Sequence, residues 1–269
     1  MSSPTSSDGL VHEHAPRSRL QFLSLGMLAL KLLKSAKVVK AMLATASVGA
    51  YAWLFTWEFA IVLVVALCIH EAGHVWAMKR CGIPTKGFYL IPFVGGAAIP
   101  ERAFASRWEE VYVAAMGPTW GIASIAVLAP VMAIWKDIPT AAGAAAMIAL
   151  MNFFNLLPIS PLDGGRIFKS VTLSANRKFG LALMALGTAM AGAGLFFLGS
   201  IVWVLIIVVS AIEVFYEYSG IRDYMAMNRS AMVVSIVWWL ALGAVFLSVM
   251  HLSELIPGAN FAARILRGH

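Results

Sequence analysis

Residues Phe59 to Met78 form an apolar run of about the ~20 residues needed to cross a bilayer, and its ionisable groups are Cys68, His70, Glu71 and His74. A segment at that depth must satisfy its backbone hydrogen bonds internally, which makes it a helix. Residues four apart then share one helix face, so His70 and His74 point the same way, one turn from each other. Two imidazoles so placed can hold one metal ion, with Glu71 beside them to take a proton from a water that the metal activates. Cys68 points away from that face. Ionisable groups at bilayer depth are costly, so this trio is read as a functional site.

The remainder of the chain supports a membrane setting. Its 269 residues are 61% hydrophobic and 12% charged, about half the charged fraction of an ordinary soluble domain. Mean hydropathy is +0.83. The net charge of +7 comes from basic residues scattered between apolar segments. They form no basic face with aromatic or polar readers, so nucleic acid is excluded as a partner and lipid headgroups are the counter-charge. Two cysteines, Cys68 and Cys81, have no metal-binding spacing and build no disulfide framework.

The expected architecture is an all-α polytopic membrane protein with about seven transmembrane helices, near 41–57, 59–78, 109–135, 140–157, 179–198, 200–218 and 231–250. Residues 1–19 read as a disordered polar tail without a cleavable signal. Residues 20–40, with Lys31, Lys34, Lys37 and Lys40 interleaved, read as a basic amphipathic helix on the membrane surface. Residues 41–250 form a single membrane-embedded domain, and 251–269 a short C-terminal tail. Placing the N-terminus in the cytosol puts seventeen of the twenty Lys and Arg residues on the inner side, leaving Lys136, Arg264 and Arg267 outside. His70 and His74 then lie near the cytosolic end of the second span, submerged but within a turn or two of water. The stretch 85–100, TKGFYLIPFVGGAAIP, is too short and too rich in Pro and Gly to span. It is expected to be a small membrane-associated β element.

A catalytic zinc commonly has three protein ligands. The fourth long segment ends at the same expected depth as the histidines, in the apolar run with intramembrane polarity Asn152-Phe153-Phe154-Asn155-Leu156-Leu157-Pro158-Ile159-Ser160-Pro161-Leu162-Asp163-Gly164-Gly165-Arg166. Pro158 and Pro161 bar a regular helix there, Gly164 and Gly165 allow a tight turn, and a carboxylate on such unwound chain can reach a metal. The competing reading of Asp163 is an N-cap for the next helix; an HExxH at matching depth favours the ligand. Glu213 and Glu217, near an inner span end, are read as snorkelling, and Arg166 as a headgroup anchor.

HEAGH in an apolar helix, then AAMGPTWG, then NLLPISPLDGGR resembles, in order and spacing over roughly residues 50 to 175, the site-2 protease family of intramembrane zinc metalloproteases. The likeness is to short bacterial members without PDZ-like or CBS-like domains. It implies one zinc ion on His70, His74 and Asp163, with Glu71 as general base in peptide hydrolysis. It implies transmembrane proteins as substrates, and a bacterial inner membrane with the site toward the cytosol. Asn155 matches the family's NxxP asparagine; it either stabilises the developing oxyanion or grips the substrate backbone, or else satisfies carbonyls freed by Pro158. Phe93, Val94, Gly95 and Gly96 fall in the element that, by this resemblance, receives substrate as an added strand. Gly117 and Gly121 form a small-residue face suited to close packing against the histidine helix. The rival reading is a transporter or channel whose buried His/Glu/Asp cluster handles metal ions or protons.

Overall fold

A computed structural model describes residues 36–92, 95–198, 201–221 and 224–259. The polar tail 1–19, the basic segment up to Lys34, Phe93, Val94, Arg222, Arg264 and Arg267 lie outside the described residues. Among the described residues, eight helices and one hairpin follow in order: α1 (Ala36–Leu54), α2 (Trp57–Arg80), β1 (Thr85–Ile91), β2 (Gly95–Pro100), α3 (Arg107–Trp135), α4 (Ile138–Asn155), α5 (Asp163–Ala175), α6 (Arg177–Leu198), α7 (Ile201–Tyr218) and α8 (Arg229–Glu254). The chain divides into two compact units, 1–42 and 43–269. Of the first, only the start of α1 is described.

The helices begin where side chains can take up their unpaired N–H groups. Ser106 accepts from the Glu109 N–H at 3.1 Å, Asp137 from Thr140 at 2.6 Å and Asn228 from Ala231 at 2.8 Å. Among the described residues, four helices are long and apolar enough to cross a bilayer: α2, α3, α4 and α8. The protein is therefore mostly helical, with membrane-crossing helices and one small sheet.

Helices α2, α3 and α4 form the centre. Their contact surfaces are built from small residues: Ala60, Ala66 and Gly73 on α2, Ala114, Gly117 and Gly121 on α3, and Ala141, Ala144 and Ala149 on α4, all buried. Such residues let helix axes approach closely where lipid offers no hydrophobic drive toward association. A β-carbon on Gly73 would strike the Met116 carbonyl and Trp120 of α3, so α2 and α3 are nearly backbone to backbone at the level of His74. A larger apolar cluster, including Val111, Ala115, Ile167, Leu242 and Phe246, ties α3, α4 and α5 to α8.

The stretch 85–100 is an antiparallel two-stranded hairpin, pairing Phe88 with Ala98 and Leu90 with Gly96, with an irregularity between Thr85 and Phe88. Leu90 is buried against Val64 and Leu67 of α2, which seats the hairpin on the histidine helix. After α4 the chain unwinds through 156–162, where Pro158 and Pro161 stand, and becomes helical again at Asp163. Gly164 and Gly165 are helical residues of α5, not the turn residues expected from the sequence. They are small because the carbonyls of Leu156 and Ile159 lie against them, where a β-carbon would overlap.

Candidate metal centre

Helix α2 presents His70 and His74 on one face, their Nε2 atoms 3.1 Å apart. Asp163, the first residue of α5, brings Oδ2 to 3.2 Å from His70 Nε2 and 3.3 Å from His74 Nε2. The residue preceding α5 is Leu162, with no side-chain cap, so the Asp163 carboxylate faces the imidazoles and does not cap its own helix. The histidine pair and Asp163 are separated by about ninety residues of chain and are brought together by the packing of α2 on α3 and the turn after α4.

The other nitrogen of each ring fixes which atoms carry protons. His70 Nδ1 is 2.8 Å from Asn152 Oδ1, and His74 Nδ1 is 2.8 Å from the Val113 carbonyl. A carbonyl oxygen only accepts, so each Nδ1 carries hydrogen and, in the neutral ring, each Nε2 presents a lone pair. Asn152 is itself oriented by donating from Nδ2 to the Ile148 carbonyl at 2.8 Å. Two nitrogen lone pairs and a carboxylate oxygen thus converge with no donor among them. Three acceptors at this separation repel one another unless a cation lies between them.

The geometry suits zinc. Ligands about 2.0–2.1 Å from a tetrahedral ion stand about 3.3 Å apart, and the three donor separations are 3.1, 3.2 and 3.3 Å. Among the described residues these are the His, Cys, Asp and Glu groups that meet the spatial requirement for holding a metal, and all three are buried. Gly117 of α3 leaves open the space the Nε2 atoms face, since a β-carbon there would press on His74 Nε2 and His70 Nε2. Gly121 does the same for the Asn152 amide on α4, so its close contact is with α4 and not with the histidine helix. The imidazole partners Asn152 and Val113 supply the ring-orienting bonds that metal-bound histidines normally have.

Glu71 lies beside this triangle with one oxygen, Oε2, buried and without a hydrogen-bond partner. Its carboxylate is covered by β2: a β-carbon on Gly96 would overlap it. His70, Glu71, His74 and Asp163 are 1, 4, 5 and 8% exposed, so the hairpin and helices together hold bulk water off.

The sequence reading assigns Asn152 no role, although an amide in the middle of an apolar helix is a visible signal; the asparagine singled out there, Asn155, is the half-buried last residue of α4, one turn later. Gly95 and Gly96 lie at the start of β2, with Gly96 over Glu71. The snorkelling expected of Glu213 and Glu217 is corrected. Both are buried, Glu213 against Lys169 at 3.0 Å and Glu217 in a bidentate pair with Arg107 at 2.8 and 2.6 Å. Arg166 also lies within the field of buried acids. Burial would lower its pKa, but Glu213, Asp163, Glu110 and Glu71 together push it up.

Comparison with known proteins gives a concordant picture. Residues 58–142 match the model of peptidase family M50, a segment that holds the histidine pair and all of α3 and ends before Asp163. A protein of Synechocystis sp., provisionally named a zinc metalloprotease, is 28% identical over 144 residues, 50% of this chain and 37% of that protein. A Methanocaldococcus jannaschii zinc metalloprotease is 26% identical over 125 residues, 45% of this chain and 35% of its own. Rip3 of Mycobacterium tuberculosis, also provisionally named a zinc metalloprotease, is 30% identical over 163 residues, 53% of this chain and 41% of its own. The chain spans well under half the length of these relatives.

Proposed function

We propose that this chain, whose residues 58–142 match peptidase family M50, is an intramembrane zinc metalloprotease of the site-2 protease type that hydrolyses peptide bonds in or near transmembrane segments of other membrane proteins. The observation that carries the reading is the meeting of His70 Nε2, His74 Nε2 and Asp163 Oδ2 within 3.1–3.3 Å, each a bare acceptor. These three are the ligands. Zinc held there supplies Lewis acidity toward a scissile carbonyl and lowers the pKa of the attacking water.

The protein's own groups do the rest. Glu71, with Oε2 unpaired in a dry pocket, accepts the proton of the attacking water and passes it to the leaving amine. Asn152 and the Val113 carbonyl hold both rings in the tautomer that leaves Nε2 free. Asn155 has no partner among the described residues and serves to grip the substrate backbone or the developing oxyanion. A helical substrate hides its carbonyls in its own hydrogen bonds, so it must be unwound and held extended. The β2 hairpin around Gly95 and Gly96, with Phe93 and Val94 preceding it, is the element we assign to that task by strand addition.

We place the site toward the cytosol in a seven-span arrangement of a bacterial inner membrane, with the N-terminus inside. The support is the Lys/Arg asymmetry and the helices that accompany the apolar segments. The transporter reading is not favoured: peptidase relatives match the histidine segment, and the donors close around one point instead of lining a path.

The test is purified protein with a model transmembrane substrate. Glu71→Gln is expected to retain zinc and lose cleavage, whereas His74→Ala and Asp163→Ala lose both. Cleavage by Glu71→Gln at the wild-type rate would overturn the proposal, and so would full zinc binding by Asp163→Ala.

A further inference from the structure

A second buried polar cluster surrounds the approach to Asp163, and the reaction uses none of its members. Lys169 of α5, 1% exposed, is 2.8 Å from Glu110 of α3 and 3.0 Å from Glu213 of α7. Ser170 donates to Glu110 at 2.6 Å, and Arg107 holds Glu217 in its bidentate pair. Ser160, in the unwound turn before Asp163, donates to the same Glu213 oxygen that Lys169 reaches, and Ser210 of α7 donates to the Ser160 carbonyl.

Asp163 has two determinants of position: the turn that delivers it and the axis of the helix it starts. Glu213 touches both. It meets Ser160, three residues before Asp163, and Lys169, six residues after, about 9 Å along α5. Helix α5 is also tied to α3 through Glu110, which Lys169 and Ser170 both reach, and three residues on, Val113 of the same helix sets the orientation of His74. Helix α3 is therefore a shared reference for an imidazole ligand and for the helix that supplies the carboxylate. Apolar packing alone allows small slides. Metal ligands tolerate only about 0.2 Å, and directional charged hydrogen bonds supply that precision.

Building on the metal-site reading above, we propose that Glu213 is a positioning residue for the metal centre: by gripping Ser160 and Lys169 at once, it fixes the Asp163 carboxylate within reach of His70 and His74. The group does not touch metal, water or substrate.

The test uses the full chain in detergent, loaded with Co2+ or Zn2+, with three readouts: the ligand-field absorption of Co2+, zinc affinity by chelator competition, and thermal unfolding. Glu213→Ala is expected to weaken zinc binding about 10- to 100-fold, as loss of a supporting contact does at other sites, and to shift the Co2+ bands. Glu213→Gln, which still accepts from Ser160 and Lys169, restores most of the affinity and the wild-type spectrum. Met132→Ala, a cavity in the apolar cluster of α2, α3 and α4 that includes Val62, Ala66, Ala144 and Ile148 and no residue of α5 or α7, lowers thermal stability and leaves the spectrum in place. Ser160→Ala gives a smaller change in the same direction as Glu213→Ala, and decides the matter should Glu213→Ala not fold. The proposal is overturned by a wild-type spectrum and affinity in both Glu213→Ala and Ser160→Ala, or by an equal spectral change in Met132→Ala. A wild-type chain that takes up no Co2+ overturns the metal site itself, a failure separate from that of Glu213 alone.

Discussion

Two buried polar clusters lie side by side in this molecule and are built on opposite plans. Around His70, His74 and Asp163, three acceptors meet with no donor between them. Around Lys169, each carboxylate is met: Glu110 by Lys169 and Ser170, Glu213 by Lys169 and Ser160, Glu217 by both arms of Arg107. Burial makes either arrangement costly if incomplete. The first is complete only with a cation, and the second is complete as it stands. Unbalanced burial marks a site that binds something; balanced burial marks a scaffold.

The largest expected effect breaks the first cluster outright. Asp163→Ala or His74→Ala removes one of three ligands, and both bound zinc and cleavage should fall below detection in metal analysis and substrate assays. Glu71→Gln keeps the triangle, so metal content stays at one ion per chain while the cleavage rate drops by about 10²- to 10⁴-fold, the usual worth of a positioned proton acceptor. Equal zinc loss in Glu71→Gln and Asp163→Ala would remove the distinction between ligand and base.

Breaking the second cluster should act on stability before chemistry. Lys169→Met leaves Glu110 and Glu213 without their shared cation in a dry interior, and removing one partner of a buried pair costs about 3–5 kcal/mol. Burial opposes the Lys169 charge, but Glu110, Glu213 and Glu217 outweigh it and push its pKa up. A raised pKa means that this stabilisation is fully present below the ordinary lysine value, about 10.4, and is lost only as pH climbs through the higher folded value. Thermal unfolding of the wild type should therefore show no loss from this group between neutral pH and about pH 10. The double change Lys169→Met with Glu213→Leu should recover part of the stability by removing one of the two orphaned charges. No recovery would mean that the cluster is held together by packing alone.

The two clusters also differed in how far they could be read in advance. His70, Glu71 and His74 sit within one turn of one apolar helix, and their spacing needs no tertiary information. The hairpin at 85–100 was legible from its Pro/Gly content, and the helix break at Pro158 and Pro161 from proline's missing N–H. The charged cluster was not legible. Its members come from α3, α5 and α7, and Glu213 and Glu217 alone in an apolar segment look like groups reaching for the interface. Only the fold shows that Lys169 and Arg107 come to meet them. Asn152 was hidden for a related reason: its partner is 82 residues away. The roles of Gly96, Gly117 and Gly121 are likewise set by neighbours from other elements.

Asn152 gives the finest test, because it alters the unbalanced cluster without removing a ligand. Asn152→Leu leaves the His70 Nδ1–H buried and unpaired, a loss of about 1–3 kcal/mol. The freed ring can turn or shift its proton to Nε2, which would block that lone pair. Zinc affinity should drop about 10- to 100-fold, with the Lys169 cluster unaffected. Unchanged zinc affinity in Asn152→Leu would assign Asn152 to packing, and the tautomer argument for the metal site would lose one of its two supports.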